Sequence, residues 1–167
     1  RNFSDQIIIR SSNQDEDQNN ITNAGKYKSV VCKNKKNEVT KEISKFVSKI
    51  KNKDQVLVQD FIKNVDLSGV VFTRDLKDNS PYLVINFDTS RKTNLVTSGK
   101  MNPTMETMYI HRSYKYFPIK FKNLINIILK LEKLFKNNRL DIEFCIKNKK
   151  IYLLQCRKLP KNKQTSE

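Results

Sequence analysis

Three features of this 167-residue chain predict an α+β fold. Short apolar runs are interrupted at every second position, as in half-buried strands. Two longer stretches repeat their apolar residues with helical spacing. Turn residues between the short runs are close enough to join neighbouring strands antiparallel. The expected architecture is a mixed, mostly antiparallel sheet with two flanking helices. A chain of this length can bury one real core or support two small lobes.

Gln6-Ile7-Ile8-Ile9-Arg10 reads as a short strand ending on a charge. Ser11 to Asn23 is polar, acidic in its middle, and reads as a loop. Ala24-Gly25 breaks the chain before Lys26 to Val31. Glu38 to Lys51 places Val39, Ile43, Phe46, Val47 and Ile50 on one helical stripe, which ordinary core packing explains. Four strands follow, Gln55 to Ile62, Gly69 to Arg74, Pro81 to Phe87 and Glu106 to Arg112, separated by turn residues such as Asp78-Asn79 and Asn102-Pro103. Pro118 opens a second helix with Phe121, Leu124, Ile128, Leu131 and Phe135 on one face. A hairpin closes the chain before a basic tail, residues 161–167, expected to fray.

That hairpin carries the most information. Asp141-Ile142-Glu143-Phe144-Cys145-Ile146 and Ile151-Tyr152-Leu153-Leu154-Gln155-Cys156-Arg157 are apolar runs joined by the polar turn Lys147 to Lys150. Asp141 and Glu143 share one face of the first strand, and Gln155 and Arg157 share one face of the second. A register that sets Glu143 opposite Gln155 also sets Asp141 opposite Arg157. It requires a three-residue loop, Asn148 to Lys150, or an equivalent bulge. A tight two-residue turn alone would send Gln155 to the other face. With the register in place, one sheet face presents two carboxylates, an amide oxygen and a guanidinium. Hard oxygen donors suit Mg²⁺, and the guanidinium fork suits phosphate oxygens.

Composition narrows the alternatives. With 37% hydrophobic and 30% charged residues the chain is expected to fold and stay in solution. Its apolar runs are too short to span a bilayer, and no signal-peptide pattern opens it. It begins at Arg1 with a strand almost at once, which reads as a piece of a longer polypeptide. Cys32, Cys145 and Cys156 form no CxxC or Cys/His spacing, and an odd count fits a reducing cytoplasm. The net charge of +16 invites nucleic acid as a partner. The lysines are scattered, however, among abundant Asn and Ile, and the run His111 to Tyr116 alternates like an ordinary strand end. The same field would favour an anionic small ligand. His111 has no nucleophile at a suggestive spacing, no zinc pattern exists, and three glycines leave little material for a phosphate-binding glycine signature.

Read in order, four segments resemble the nucleotide-binding domain of the pyruvate phosphate dikinase and phosphoenolpyruvate synthase family. They are Ile9-Arg10-Ser11-Ser12 with Glu16-Asp17 and Ala24-Gly25; Val58-Gln59-Asp60-Phe61-Ile62 followed by Ser68-Gly69-Val70-Val71-Phe72-Thr73-Arg74-Asp75; Val96-Thr97-Ser98-Gly99; and Asp141-Ile142-Glu143 with Leu154-Gln155-Cys156-Arg157. The resemblance covers nearly the whole chain. It implies an ATP-grasp fold over residues 1–160, lacking the start of that domain, with ATP between two lobes. It further implies that Arg10 and Arg157 act on the ATP phosphates, and that Gly25 and Ser29 belong to the loop over them. Gln59, Asp60 and Ile62 would border the adenine, and Glu143 and Gln155 would hold Mg²⁺.

What the resemblance implies about activity is an ATP-dependent phosphotransferase of the cytoplasm. The parent chain would cleave ATP, pass phosphate through a histidine on another domain and deliver it to a small acceptor. Many members carry a Gly-Leu-Gly-Glu run where this chain reads Ile85 to Asn94. Tyr82 to Asp88 is similar to a capsule-pathway subgroup that includes L-glutamine kinases. An amide such as L-glutamine, or a capsule-pathway metabolite, is therefore expected as acceptor, with pyruvate as the alternative. A basic nucleic-acid-binding module is the alternative of another class. This piece alone, without the preceding nucleotide-binding lysine segment and the histidine domain, is expected to bind nucleotide weakly and not to turn over. No membrane partner is expected.

Overall fold

The computed structural model describes residues 3–12, 29–48, 55–90 and 104–159, which fall into two units, Arg1–Lys63 and Asn64–Glu167. In the first unit, β1 (Gln6–Ser12) lies between β2 (Ser29–Lys33) and β3 (Gln55–Asp60), antiparallel to both. Alternation along β1 turns Ile7 and Ile9 to one side, where they are buried with Phe46 of α1 (Lys36–Val47). Val30, Cys32, Val39, Ile43, Val56 and Val58 complete that core. The helix starts two residues before the expected Glu38 and ends at Val47, where the Ser48 N–H reaches back to the Ser44 and Phe46 carbonyls.

The second unit is a five-stranded sheet in the order β6-β5-β4-β7-β8, every pairing antiparallel. Its strands are β4 (Leu67–Phe72), β5 (Tyr82–Asp88), β6 (Met105–His111), β7 (Leu140–Lys147) and β8 (Lys150–Lys158). Pro118 does open the helical segment, as a 3-10 turn over Ile119–Phe121 that runs into α2 (Lys122–Phe135). Leu124, Ile125 and Ile128 of α2 pack with Phe121 against Leu67, Val71, Leu83, Ile85, Ile110, Ile142 and Phe144. Phe135, expected on that apolar face, is 45% exposed at the helix end. The α+β expectation holds, but among the described residues there are two antiparallel sheets in place of the single one expected, with one α-helix against each.

Two details hold this sheet in shape. Thr73, fully buried just past β4, donates its hydroxyl to the Asn138 carbonyl and accepts the Leu140 N–H, both at 2.8 Å. Arg112, just past β6, grips Glu132 of α2 with both terminal nitrogens at 2.8 and 2.6 Å and also donates to the Thr73 carbonyl. Such a fork fixes orientation as well as distance. The ends of β4, β6 and α2 are thereby tied to the start of β7.

Gly69 is required by close approach. A Cβ there would lie 2.5 Å from the Asn86 carbonyl and 2.8 Å from the Phe144 ring. Neither neighbour can yield cheaply, because one is backbone and the other is a fully packed ring. Gly69→Ala is expected to cost about 1–3 kcal/mol through overpacking, read as a lower urea midpoint with an unchanged slope.

Candidate functional site

The predicted hairpin forms, and its register is the one that groups the polar side chains. Glu143 lies opposite Gln155, and Asp141 lies opposite Arg157. Of the two routes to this register, the chain takes the bulge. Asn148 and Lys149 make a two-residue turn with φ of 50° and 62°, as a type I′ turn requires, and Lys147 pairs with Lys150. The register then shifts between Glu143 and Phe144: Glu143 pairs with Gln155 but Phe144 with Leu153, so Leu154 is the extra residue of a bulge.

The apolar residues of β8 explain why the extra residue sits there. Ile151 and Cys156 both pack against the α2 side of the sheet. They are an odd number of positions apart, so a regular strand would turn them to opposite faces. One inserted residue lets both face the core, and it moves Gln155 and Arg157 to the other face together.

That second face carries Asp141, Glu143 and Cys145 of β7, and Ser68 and Val70 of β4 beside them. Arg157 donates through Nε to Asp141 Oδ2 at 2.7 Å, its side chain 47% exposed against 5% for Asp141. Asp141 Oδ1 is buried and has no hydrogen-bond partner among the described residues. Burial pushes the Asp141 carboxyl above the ordinary carboxylate range, the Arg157 charge and hydrogen bond pull it down, and the Glu143 charge pushes it up again. Glu143 and Gln155 are each half-buried. Directly opposed residues bring their Cβ atoms to about 5 Å, close enough for one carboxylate oxygen and one amide oxygen to hold a common cation. A hard cation such as Mg²⁺ accepts so small a donor set, because it keeps several waters and shares phosphate oxygens.

Asp141 is the residue that the reading from sequence left without a role. Its alternation with Glu143 was visible, but only burial and pairing show that it holds the Arg157 guanidinium. Nucleophilic chemistry through Cys145 is disfavoured on the same face, since burial pushes its thiol up to about 11. His111 is exposed, bonded through Nδ1 to the Ser113 hydroxyl at 2.7 Å and set edge-on to Tyr82. Asp88, within the segment that departs from the dikinase pattern, is 2% exposed and accepts from the Ser90 N–H, the Ser90 hydroxyl and the Thr104 hydroxyl. Its carboxylate clasps the chain leaving β5 to the chain entering β6.

The remaining expected site residues belong to the first unit. Arg10 lies opposite Ser29 on one side and Leu57 on the other, and Gln59 lies opposite Ile8. Alternation therefore puts Arg10 and Gln59 on the sheet face away from α1. Asp60 falls on the opposite face from Gln59, and its carboxylate accepts the Ser4 N–H at 2.6 Å. Only backbone groups could present both Gln59 and Asp60 to a single ligand. β3 is an edge strand of its sheet among the described residues, the position from which backbone groups can meet a ligand. Ile62 follows β3 and is half-buried, and Ser29 is the first residue of β2. Gly25, Glu16-Asp17 and Val96 to Gly99 lie outside the described residues.

A pH test follows from Asp141. Its carboxyl is raised in the folded chain, so the folded state binds that proton more tightly than the unfolded state does. Its contribution to stability is accordingly lost as pH rises from the ordinary carboxylate value through the raised one. Asp141→Asn is expected to flatten this fall in urea denaturation series run upward from about pH 4. An identical slope in the variant would show that Asp141 is not raised. No protein-family model and no curated protein matches the chain.

Proposed function

We propose that this chain is the nucleotide-binding part of a dikinase-like, ATP-dependent phosphotransferase with an ATP-grasp fold. One observation carries the reading: a bulged hairpin sets Glu143 opposite Gln155 and Asp141 opposite Arg157 on one sheet face. Those residue types at that spacing are what a Mg²⁺–triphosphate complex needs. Glu143 and Gln155 offer hard oxygen donors. Arg157, its Nε spent on Asp141, is aimed by a bond at its inner end. Bound Mg²⁺ would neutralise charge on the phosphate chain. The protein's own part is to orient the triphosphate and to stabilise charge on the phosphoryl group as it leaves.

The first unit supports the same reading in its own way. Arg10 offers a second guanidinium within β1, which continues through Ser11 and Ser12 where the sequence suggested a loop, and the edge of β3 offers donors and acceptors to an adenine edge. In the parent protein the phosphoryl group would pass to a histidine on another domain and then to a small acceptor. An amide such as L-glutamine or a capsule-pathway metabolite fits the Tyr82 to Asp88 segment better than pyruvate does. The cytoplasm, where ATP and reduced thiols occur together, is the proposed compartment. No helix among the described residues is long and apolar enough to cross a membrane.

The decisive measurement is ATP consumption by the intact protein. Glu143→Ala and Arg157→Ala are each expected to lower it by at least about a hundredfold, the scale of a lost transition-state contact, with circular dichroism unchanged. Activity within a few-fold of the parent in either variant would reject the assigned roles. Polynucleotide binding that falls steeply with salt and ignores Glu143 would instead identify a basic nucleic-acid-binding module.

A further inference from the structure

In the second unit the proposed metal pair and the Asp141–Arg157 ion pair lie on β7 and β8, at one side of a sheet whose same face continues over β4, β5 and β6. Cross-strand register arranges that face in rows perpendicular to the strands. The row through the metal pair runs Gln155, Glu143, Val70, Asn86, Thr107. None of these five residues is buried. The next row toward the turn is closed at its centre, with Ser68, Asp88 and Cys145 all buried. The row on the other side has Val84 and Asp141 buried. An accessible lane thus crosses the sheet between two rows whose central side chains are largely buried.

The far end of the lane is polar. Thr107 Oγ1 donates to Asn86 Oδ1 at 2.8 Å. This bond fixes the amide plane and engages its oxygen, so the side chain has its two N–H groups to offer. Strands lie about 4.8 Å apart; Asn86 is two strands from Glu143, a separation of about 10 Å. Val70, between them, is an apolar floor with nothing to bind an anion. A ligand held by a cation at Glu143 and extended along the lane would next meet an amide donor.

We propose that Asn86, held by Thr107, donates to a phosphate oxygen at the far end of this lane, which takes the polyphosphate of a Mg²⁺-bound nucleoside triphosphate. The inference rests on the nucleotide reading of the Glu143–Gln155 pair and adds to it a residue on another strand. A neutral amide suits the position, because it adds a hydrogen bond without adding charge to a face that already carries Arg157.

Calorimetric titration of the intact protein with Mg²⁺ and a non-hydrolysable ATP analogue, and separately with AMP, tests this. Asn86→Val is expected to weaken the triphosphate analogue about tenfold and to leave AMP unchanged. Asn86→Asp is expected to weaken it further, since a carboxylate would face the phosphates. Thr107→Val, which keeps Asn86 but frees its amide plane, is expected to lose about threefold, within the range of one hydrogen bond. A purely structural role would reverse the order of the first two, because Asp matches Asn in shape and Val does not. Glu143→Gln is the reference. If it abolishes Mg²⁺-dependent binding while both Asn86 variants bind as the parent does, the lane is refuted and the metal pair stands. Should Glu143→Gln change nothing, the nucleotide reading fails and the lane with it.

Discussion

The polar face of the second unit depends on one extra residue in β8. The register with β7 steps over Leu154, as the odd spacing between Ile151 and Cys156 demands if both are to pack beneath the sheet. A bulge interrupts the ladder locally and increases twist. Without it, Gln155 and Arg157 would turn toward α2. A guanidinium buried there without a partner would cost several kcal/mol, far more than the ladder bond that the bulge gives up. Apolar packing therefore dictates the register, and the polar constellation follows from it.

The ion pair on that face has the character of a device for placement. Asp141 is nearly buried, one of its oxygens lacks a partner among the described residues, and its counter-ion is half in solvent. Desolvation of the acid outweighs what so exposed a partner returns, which is why the carboxyl sits above its ordinary range. Such a pair contributes little to holding the fold. What it does is fix the inner end of Arg157, and a guanidinium held at Nε keeps its planar fork in one orientation. Stability of the unit comes from elsewhere: the apolar layer between sheet and α2, the close seat of Phe144 over Gly69, and the knot of Thr73, Arg112 and Glu132.

Charge and chemistry separate in this chain. The excess of 16 positive charges is spread over both units, whereas the carboxylates that matter are few and placed by register. In the first unit alternation sorts Gln59 from Asp60, and Asp60 serves the local backbone at Ser4. The edge of β3 and the face that carries Arg10 are what that unit has to offer a ligand. Resemblance alone would have treated Gln59 and Asp60 as equivalent neighbours of an adenine. Backbone geometry assigns them different faces.

The sequence by itself determined the fold class, the positions of seven of the eight described strands to within about two residues, and the grouping of Asp141 with Glu143 and of Gln155 with Arg157. Periods of two and of 3.6 are local properties, set by backbone geometry, and they survive any change in the surroundings. It ran α1 past Val47 and set Phe135 on the apolar face of α2, where it is half exposed, because a helix end is decided by capping and by where its partner sheet stops. Tertiary structure alone decided which face the two polar pairs share, that Asp141 is buried and holds Arg157, and that Asn86 lies in the row of Glu143 and Gln155. Those are relations between strands far apart in sequence. They are fixed by which apolar side chains must meet under the sheet, and no local pattern encodes that choice.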